Sequence, residues 1–91
     1  MVSKNWYVYI ARCQNNALYT GISVDVEKRI HTHNSGKGSK SCKAHGLPVK
    51  LVWQYETINR SSASMLEARI KKLTKIQKEN LIKGRMELEN A

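Results

Sequence analysis

Trp6-Tyr7-Val8-Tyr9-Ile10 and Leu18-Tyr19-Thr20-Gly21-Ile22 are two short aromatic and β-branched runs with Gln14-Asn15-Asn16 between them. This arrangement limits what the chain can fold into more than any other feature. Both runs have the composition of strands, over residues near 6–12 and 18–23. Asparagine tolerates positive φ, so the intervening residues supply turn chemistry and the strands form an antiparallel hairpin. The length of the turn then decides which side chains share a face, because side chains alternate along each strand. A two-residue turn at Asn15-Asn16 pairs Gln14 with Ala17 and puts Tyr9 and Tyr19 on opposite faces. A three-residue loop, Gln14 to Asn16, pairs Cys13 with Ala17 and Ala11 with Tyr19, which stands Tyr9 beside Tyr19 and opposite Gly21.

After the hairpin, Ser23 can cap a helix over about residues 24–35, with Asp25 and Glu27 favourably placed near its positive end. Val26 and Ile30 lie one turn apart and face the core, while Arg29 and His33, also four apart, share another face. Gly36 is a C-terminal stop. Residues 36–47 are glycine-rich and basic, without a period of either kind, and read as a loop. Pro48 precedes a third strand near 50–57, where Val49, Leu51, Trp53 and Tyr55 alternate with Lys50, Val52, Gln54 and Glu56.

From Ser61 the spacing turns helical, with Leu66, Ile70 and Leu73 at i, i+4 and i+7. Ser64 with Glu67 fits a capping box, and Ser61 or Ser62 could equally start the helix. The pattern loosens around Lys75, which predicts a bend or a second short helix, and Gly84 ends it. The order β-β-α-β-α-α describes an α+β domain, a small three-stranded, mainly antiparallel sheet flanked by helices. A chain of 91 residues has room for one small core. The expectation is a single domain over 1–84 with a short tail over 85–91.

Sixteen Lys and Arg stand against seven Asp and Glu, a formal net charge of +9. Such a field draws polyanions, and nucleic acid is the expected partner. No apolar run approaches the roughly 18–20 residues needed to cross a bilayer, and the N-terminus lacks a secretory pattern. The expectations are no membrane association, a cytoplasmic location and a monomer. Cys13 and Cys42 do not make a disulfide framework and should be thiols. Cys42, His45, His31 and His33 match no closed zinc pattern.

Tyr7-Val8-Tyr9, Tyr19-Thr20-Gly21, Glu27-Lys28-Arg29-Ile30 and His33-Asn34 form an ordered set, ten positions from Tyr9 to Tyr19 and ten more to Arg29. On these segments the chain resembles the GIY-YIG nuclease family, most closely its small single-domain bacterial members, the UPF0213-like group. The resemblance runs from Trp6 to about Ile82. Tyr7 stands where the family name has glycine and Ile22 where many members have lysine, while Glu79 and Asn80 lie where larger members have an asparagine. The resemblance implies a GIY-YIG fold and a metal-dependent phosphodiester hydrolase, an endonuclease acting on DNA rather than RNA, with a repair or structured intermediate as substrate. A non-catalytic nucleic-acid-binding module of the same fold is the alternative. Tyr9 would be the general base or a proton relay, Tyr19 would position water or phosphate, Arg29 would hold the phosphate charge and His33 would assist. Glu67 would ligate one divalent cation, Mg²⁺ or Mn²⁺. The odd hairpin loop, or an equivalent bulge, is expected because it alone brings the two tyrosines together.

The residue types suit that chemistry. A phosphodiester repels hydroxide until its charge is neutralised, and arginine offers a permanent charge in a planar fork that fits phosphate oxygens. Tyrosine is a poor base at its reference pKa of about 10 and needs nearby positive charge to ionise. Taken singly, Tyr9 is ordinary strand packing, Arg29 a solvated helix charge and Glu67 a capping carboxylate paired with Lys71. Lys37, Lys40 and Lys43 in the 36–47 loop, with Lys71, Lys72, Lys75 and Lys78, are the candidate phosphate contacts.

Overall fold

The computed structural model describes residues 5–88. A hairpin of β1 (Trp6–Arg12) and β2 (Leu18–Ser23) is followed by α1 (Val26–Asn34), α2 (Lys40–His45), β3 (Lys50–Thr57), α3 (Arg60–Lys71) and α4 (Lys75–Ile82). The sheet has the order β2-β1-β3, and β1 pairs antiparallel with both neighbours. As the central strand of a sheet covered on both sides, β1 buries Val8, Tyr9, Ile10 and Ala11 completely. That accounts for its nearly unbroken apolar run.

Alternation along β1 divides the core in two. Val8 and Ile10 pack with Ala63, Leu66, Ile70 and Leu81 of α3 and α4. Tyr9, Ala11 and Cys13 pack on the other face with Val26 of α1, Cys42 of α2 and Val49. The helical region after residue 60 therefore lies across the sheet from α1. Leu88, in the tail, also packs against the α3–α4 cluster; residues 89–91 of the expected tail lie outside the described residues.

Four local expectations are corrected. The first concerns β3, whose simple alternation is broken: Ile10 pairs with Trp53 but Ala11 with Leu51, so Val52 is an extra residue at a bulge. Leu51 consequently belongs to the tyrosine-side core and Trp53 to the α3 side. An extra residue reverses the parity of everything beyond it. The second correction is α2, which occupies part of the expected 36–47 loop. Ser39 accepts the Ser41 N–H at its start, Cys42 buries against the sheet, and Gly46 at φ 104° ends it. The third is the cap of α1, which is Asp25, accepting the Lys28 N–H at 3.1 Å. The fourth is the cap of α3, Asn59 rather than a serine, accepting the Ser62 N–H at 2.8 Å. The expected break near Lys75 is a fresh start, with Thr74 and Gln77 forming a reciprocal capping box for α4.

Candidate active site

The hairpin loop sets the site. Cys13 N–H donates to the Ala17 carbonyl at 2.8 Å, Asn16 N–H donates to the Cys13 carbonyl at 2.9 Å, and Asn16 takes φ 73°. This is a three-residue loop closed by an asparagine in the left-handed region. It pairs Ala11 with Tyr19 and Tyr9 with Gly21. Tyr9 and Tyr19 therefore share a face, their ring centroids 6.2 Å apart. A Cβ at position 21 would stand 2.6 Å from the Tyr9 hydroxyl, so the absence of a side chain there is what lets the Tyr9 ring lie across β2.

α1 delivers the next two residues. His33 is 1% exposed, and its Nε2 lies 2.8 Å from Tyr9 Oη. The Tyr19 ring meets the His33 ring edge-on at 5.2 Å. One turn earlier Arg29 is partly exposed, and its positive charge acts to lower the pKa of the Tyr9 hydroxyl. Asn34 faces the other way and clamps the start of β3, accepting the Val49 N–H at 2.6 Å and donating to the Val49 carbonyl at 3.1 Å.

Burial decides the electrostatics. It drives the Tyr9 hydroxyl well above its ordinary range, Tyr19 adds to the rise, and Arg29 offsets only part of it. Arg29 by itself therefore does not bring the hydroxyl back to its ordinary range in this enclosed setting. Burial and then Arg29 push His33 below its usual value, so the imidazole is neutral near pH 7. Burial pushes the Cys42 thiol up to about 11 and raises Cys13 as well, and both cysteines are free.

Glu67 is on α3, the layer across the sheet, with its carboxylate 3.5 Å from Lys71 Nζ. The structure thus gathers Tyr9, Tyr19, Arg29 and His33, and carries Glu67 on a separate element, α3. Among the described residues no group of three or more His, Cys, Asp or Glu could hold a metal ion. Glu67 supplies one partly exposed carboxylate. This suits only a hard cation that keeps most of its waters and takes its other oxygens from substrate.

The candidate phosphate contacts divide between the layers. Lys40 and Lys43 on α2, and Lys37 just before it, are exposed on the tyrosine side, whereas Lys71, Lys72, Lys75 and the half-buried Lys78 belong to the α3–α4 side. Lys75 is engaged, 3.5 Å from Glu79 and donating to the Asn16 carbonyl. Glu79 is a structural residue here, since both its oxygens accept from Arg12 at 2.7 Å. Gly38 and Ser39 were not singled out by sequence. Ser39 N–H donates to His33 Nδ1 at 3.1 Å, and Gly38 leaves the space that the His33 ring fills. Two glycines within five residues of the histidine were the available signal.

Residues 5–80 match the GIY-YIG catalytic domain. The chain belongs to the GIY-YIG family. A UPF0213 protein of Vibrio cholerae is 48% identical over 80 residues, 87% of this chain and 78% of that one. A UPF0213 protein of Cronobacter sakazakii is 43% identical over 86 residues, covering 94% and 90%. The solution NMR structure of a UPF0213 protein from Bacillus halodurans superposes with a TM-score of 0.57 at 37% identity, over 89% of this chain and 85% of that one. A second NMR structure, of a protein from E. faecalis, gives 0.59 at 32% identity over 99% and 96%. Within this GIY-YIG domain the matched region spans the entire polar cluster, and the family relation points to nuclease chemistry. No described helix is long and apolar enough to cross a membrane.

Proposed function

We propose that the protein is a metal-dependent endonuclease that hydrolyses phosphodiesters in DNA, with structured or repair intermediates as its substrate class. The observation that carries this reading is the buried Tyr9–His33 contact, with Tyr19 and Arg29 against it, in a chain of the GIY-YIG family. Tyr19 and Arg29 are the partly exposed members, so an incoming phosphate meets them first. Arg29 neutralises the phosphate and Tyr19 aligns the water. Ionised Tyr9 takes a proton from that water as its oxygen bonds to phosphorus. The P–O ester bond breaks, and the departing oxygen is protonated by solvent. A divalent ion, Mg²⁺ or Mn²⁺, on Glu67 would supply charge stabilisation for the leaving oxygen.

The complete burial of Tyr9 favours a second reading, a non-catalytic nucleic-acid-binding module. One experiment separates them. The full chain and Tyr9→Phe are incubated with nicked, flapped and single-stranded DNA, with Mg²⁺, Mn²⁺ or chelator. Metal-dependent products that vanish in Tyr9→Phe support the nuclease. Binding without products, weakening with salt at a slope near −0.9 per phosphate contact on duplex, supports the module.

A further inference from the structure

A backbone N–H has only one role in a hydrogen bond: it donates. Ser39 N–H is 3.1 Å from His33 Nδ1, so Nδ1 is the acceptor and carries the ring's lone pair. A neutral imidazole has one protonated and one bare nitrogen. The proton therefore sits on Nε2, which is 2.8 Å from Tyr9 Oη. His33 is the donor in that contact and the Tyr9 oxygen the acceptor.

We propose that Gly38 and Ser39 are positioning residues that hold His33 in its Nε2-protonated form, so that His33 steadies the oxygen of Tyr9 and takes no proton from it. The inference rests on Tyr9 being the reacting group of the proposed nuclease. Gly38 contributes space, since a Cβ there would fall 2.3 Å from His33 Nδ1 and 2.8 Å from its Cα. Ser39 contributes direction. The alternative tautomer, and the doubly protonated ring, would each set an N–H against the Ser39 N–H, two donors with nothing to accept. The groups facing the pair work the same way or are neutral: Tyr19 from β2, Arg29 from α1 and the Cys42 thiol from α2. When Tyr9 ionises, its proton goes to solvent base and not to His33, whose Nε2–H then faces a full negative charge. A charge-assisted bond of that kind is shorter and stronger than the neutral one. His33 thus favours the phenolate that the surrounding burial opposes.

The backbone at Ser39, φ −63° and ψ 136°, already suits proline. Ser39→Pro deletes the N–H. Ser39→Ala keeps it and removes only the hydroxyl that caps α2. Uniformly ¹⁵N-labelled full-length chain, examined by long-range ¹H–¹⁵N correlation at pH 7, reads the tautomer directly and needs no activity. We expect Nε2–H in the wild type and in Ser39→Ala, and loss of that preference in Ser39→Pro. On any DNA the wild type cuts, Ser39→Pro should lower kcat by about 100-fold relative to Ser39→Ala, with KM little changed. Nδ1–H or imidazolium in the wild type overturns the assignment, as does an unaltered tautomer in folded Ser39→Pro. If Ser39→Pro does not fold, the wild-type and Ser39→Ala spectra decide. A chain with the expected tautomer that cuts nothing removes the nuclease reading and leaves the tautomer assignment standing.

Discussion

Tyr9 and Ile10 are neighbours on β1 and both are completely buried, yet they look into different interiors. Ile10 enters an aliphatic core with Ala63, Leu66 and Ile70. Tyr9 enters one where a hydroxyl, an imidazole and two thiols must be accommodated. Burial of apolar area stabilises at about 25 cal/mol per Å² and tolerates variation in detail. Buried polar groups stabilise only when each finds its partner, which makes their geometry stringent. Under the proposed function, the α3 face chiefly holds the sheet together while the tyrosine face carries the proton-transfer group.

The widest separation of the two faces comes from Tyr9→Phe. It should lower cleavage by about 100-fold or more, since general base catalysis is worth roughly 10²–10⁴. Its stability cost should be limited to the orphaned His33 donor, about 1–3 kcal/mol by denaturant titration. Because burial raises the Tyr9 pKa, the wild-type rate should climb with alkalinity without levelling at ordinary tyrosine values. Ile70→Ala is the mirror experiment: a loss of about 2–5 kcal/mol of stability, with turnover per folded molecule unchanged. A large fall in turnover there would mean that the faces are not separable.

Gly21→Ala should fall between the two. A methyl group 2.6 Å from the Tyr9 hydroxyl must displace a ring that is packed on every side. We expect about 1–3 kcal/mol of destabilisation, typical of overpacking, together with loss of the Tyr9–His33 contact. Circular dichroism melts and the His33 ring resonances would report both.

Acid should find the polar side first. His33 has its folded pKa depressed, so its contribution is present above the unfolded value of 6.5 and is lost as pH falls below it. Glu79, held at about 2 by Arg12, contributes fully above its unfolded 4.5 and loses that contribution as pH falls toward 2. The second step should be about 1 kcal/mol for a partly exposed pair, and absent in Glu79→Gln. Melting temperatures from pH 7.5 to 2.5 would resolve the two.

Strands were legible because their information is local: β-branched and aromatic runs, an asparagine turn, and the Tyr9-to-Tyr19 spacing. The bulge was not, because Val52 suits either face of a strand and only its partners on β1 reveal it as extra. α2 was hidden by composition, with glycine, serine and lysine around it and Cys42 as its one buried residue. Four site residues could be grouped through the family resemblance, which required the odd hairpin loop, together with the α1 spacing. Their electrostatics could not, since enclosure of Tyr9 comes from elements distant in the chain. The setting of Glu67 likewise depends on which side of the sheet α3 occupies, and no spacing within α3 encodes that.

The three-residue hairpin loop also governs how this chain can change over generations. Adding or deleting one residue among Gln14, Asn15 and Asn16 would turn Tyr19 away from Tyr9 while leaving both strands able to form. A change of two residues would preserve the pairing. Length variation at this turn should therefore be accepted in steps of two, or in single steps matched by a new bulge, much as a reading frame admits only certain insertions. A surface loop that itself carries none of the candidate site residues would be among the least freely editable stretches of the molecule.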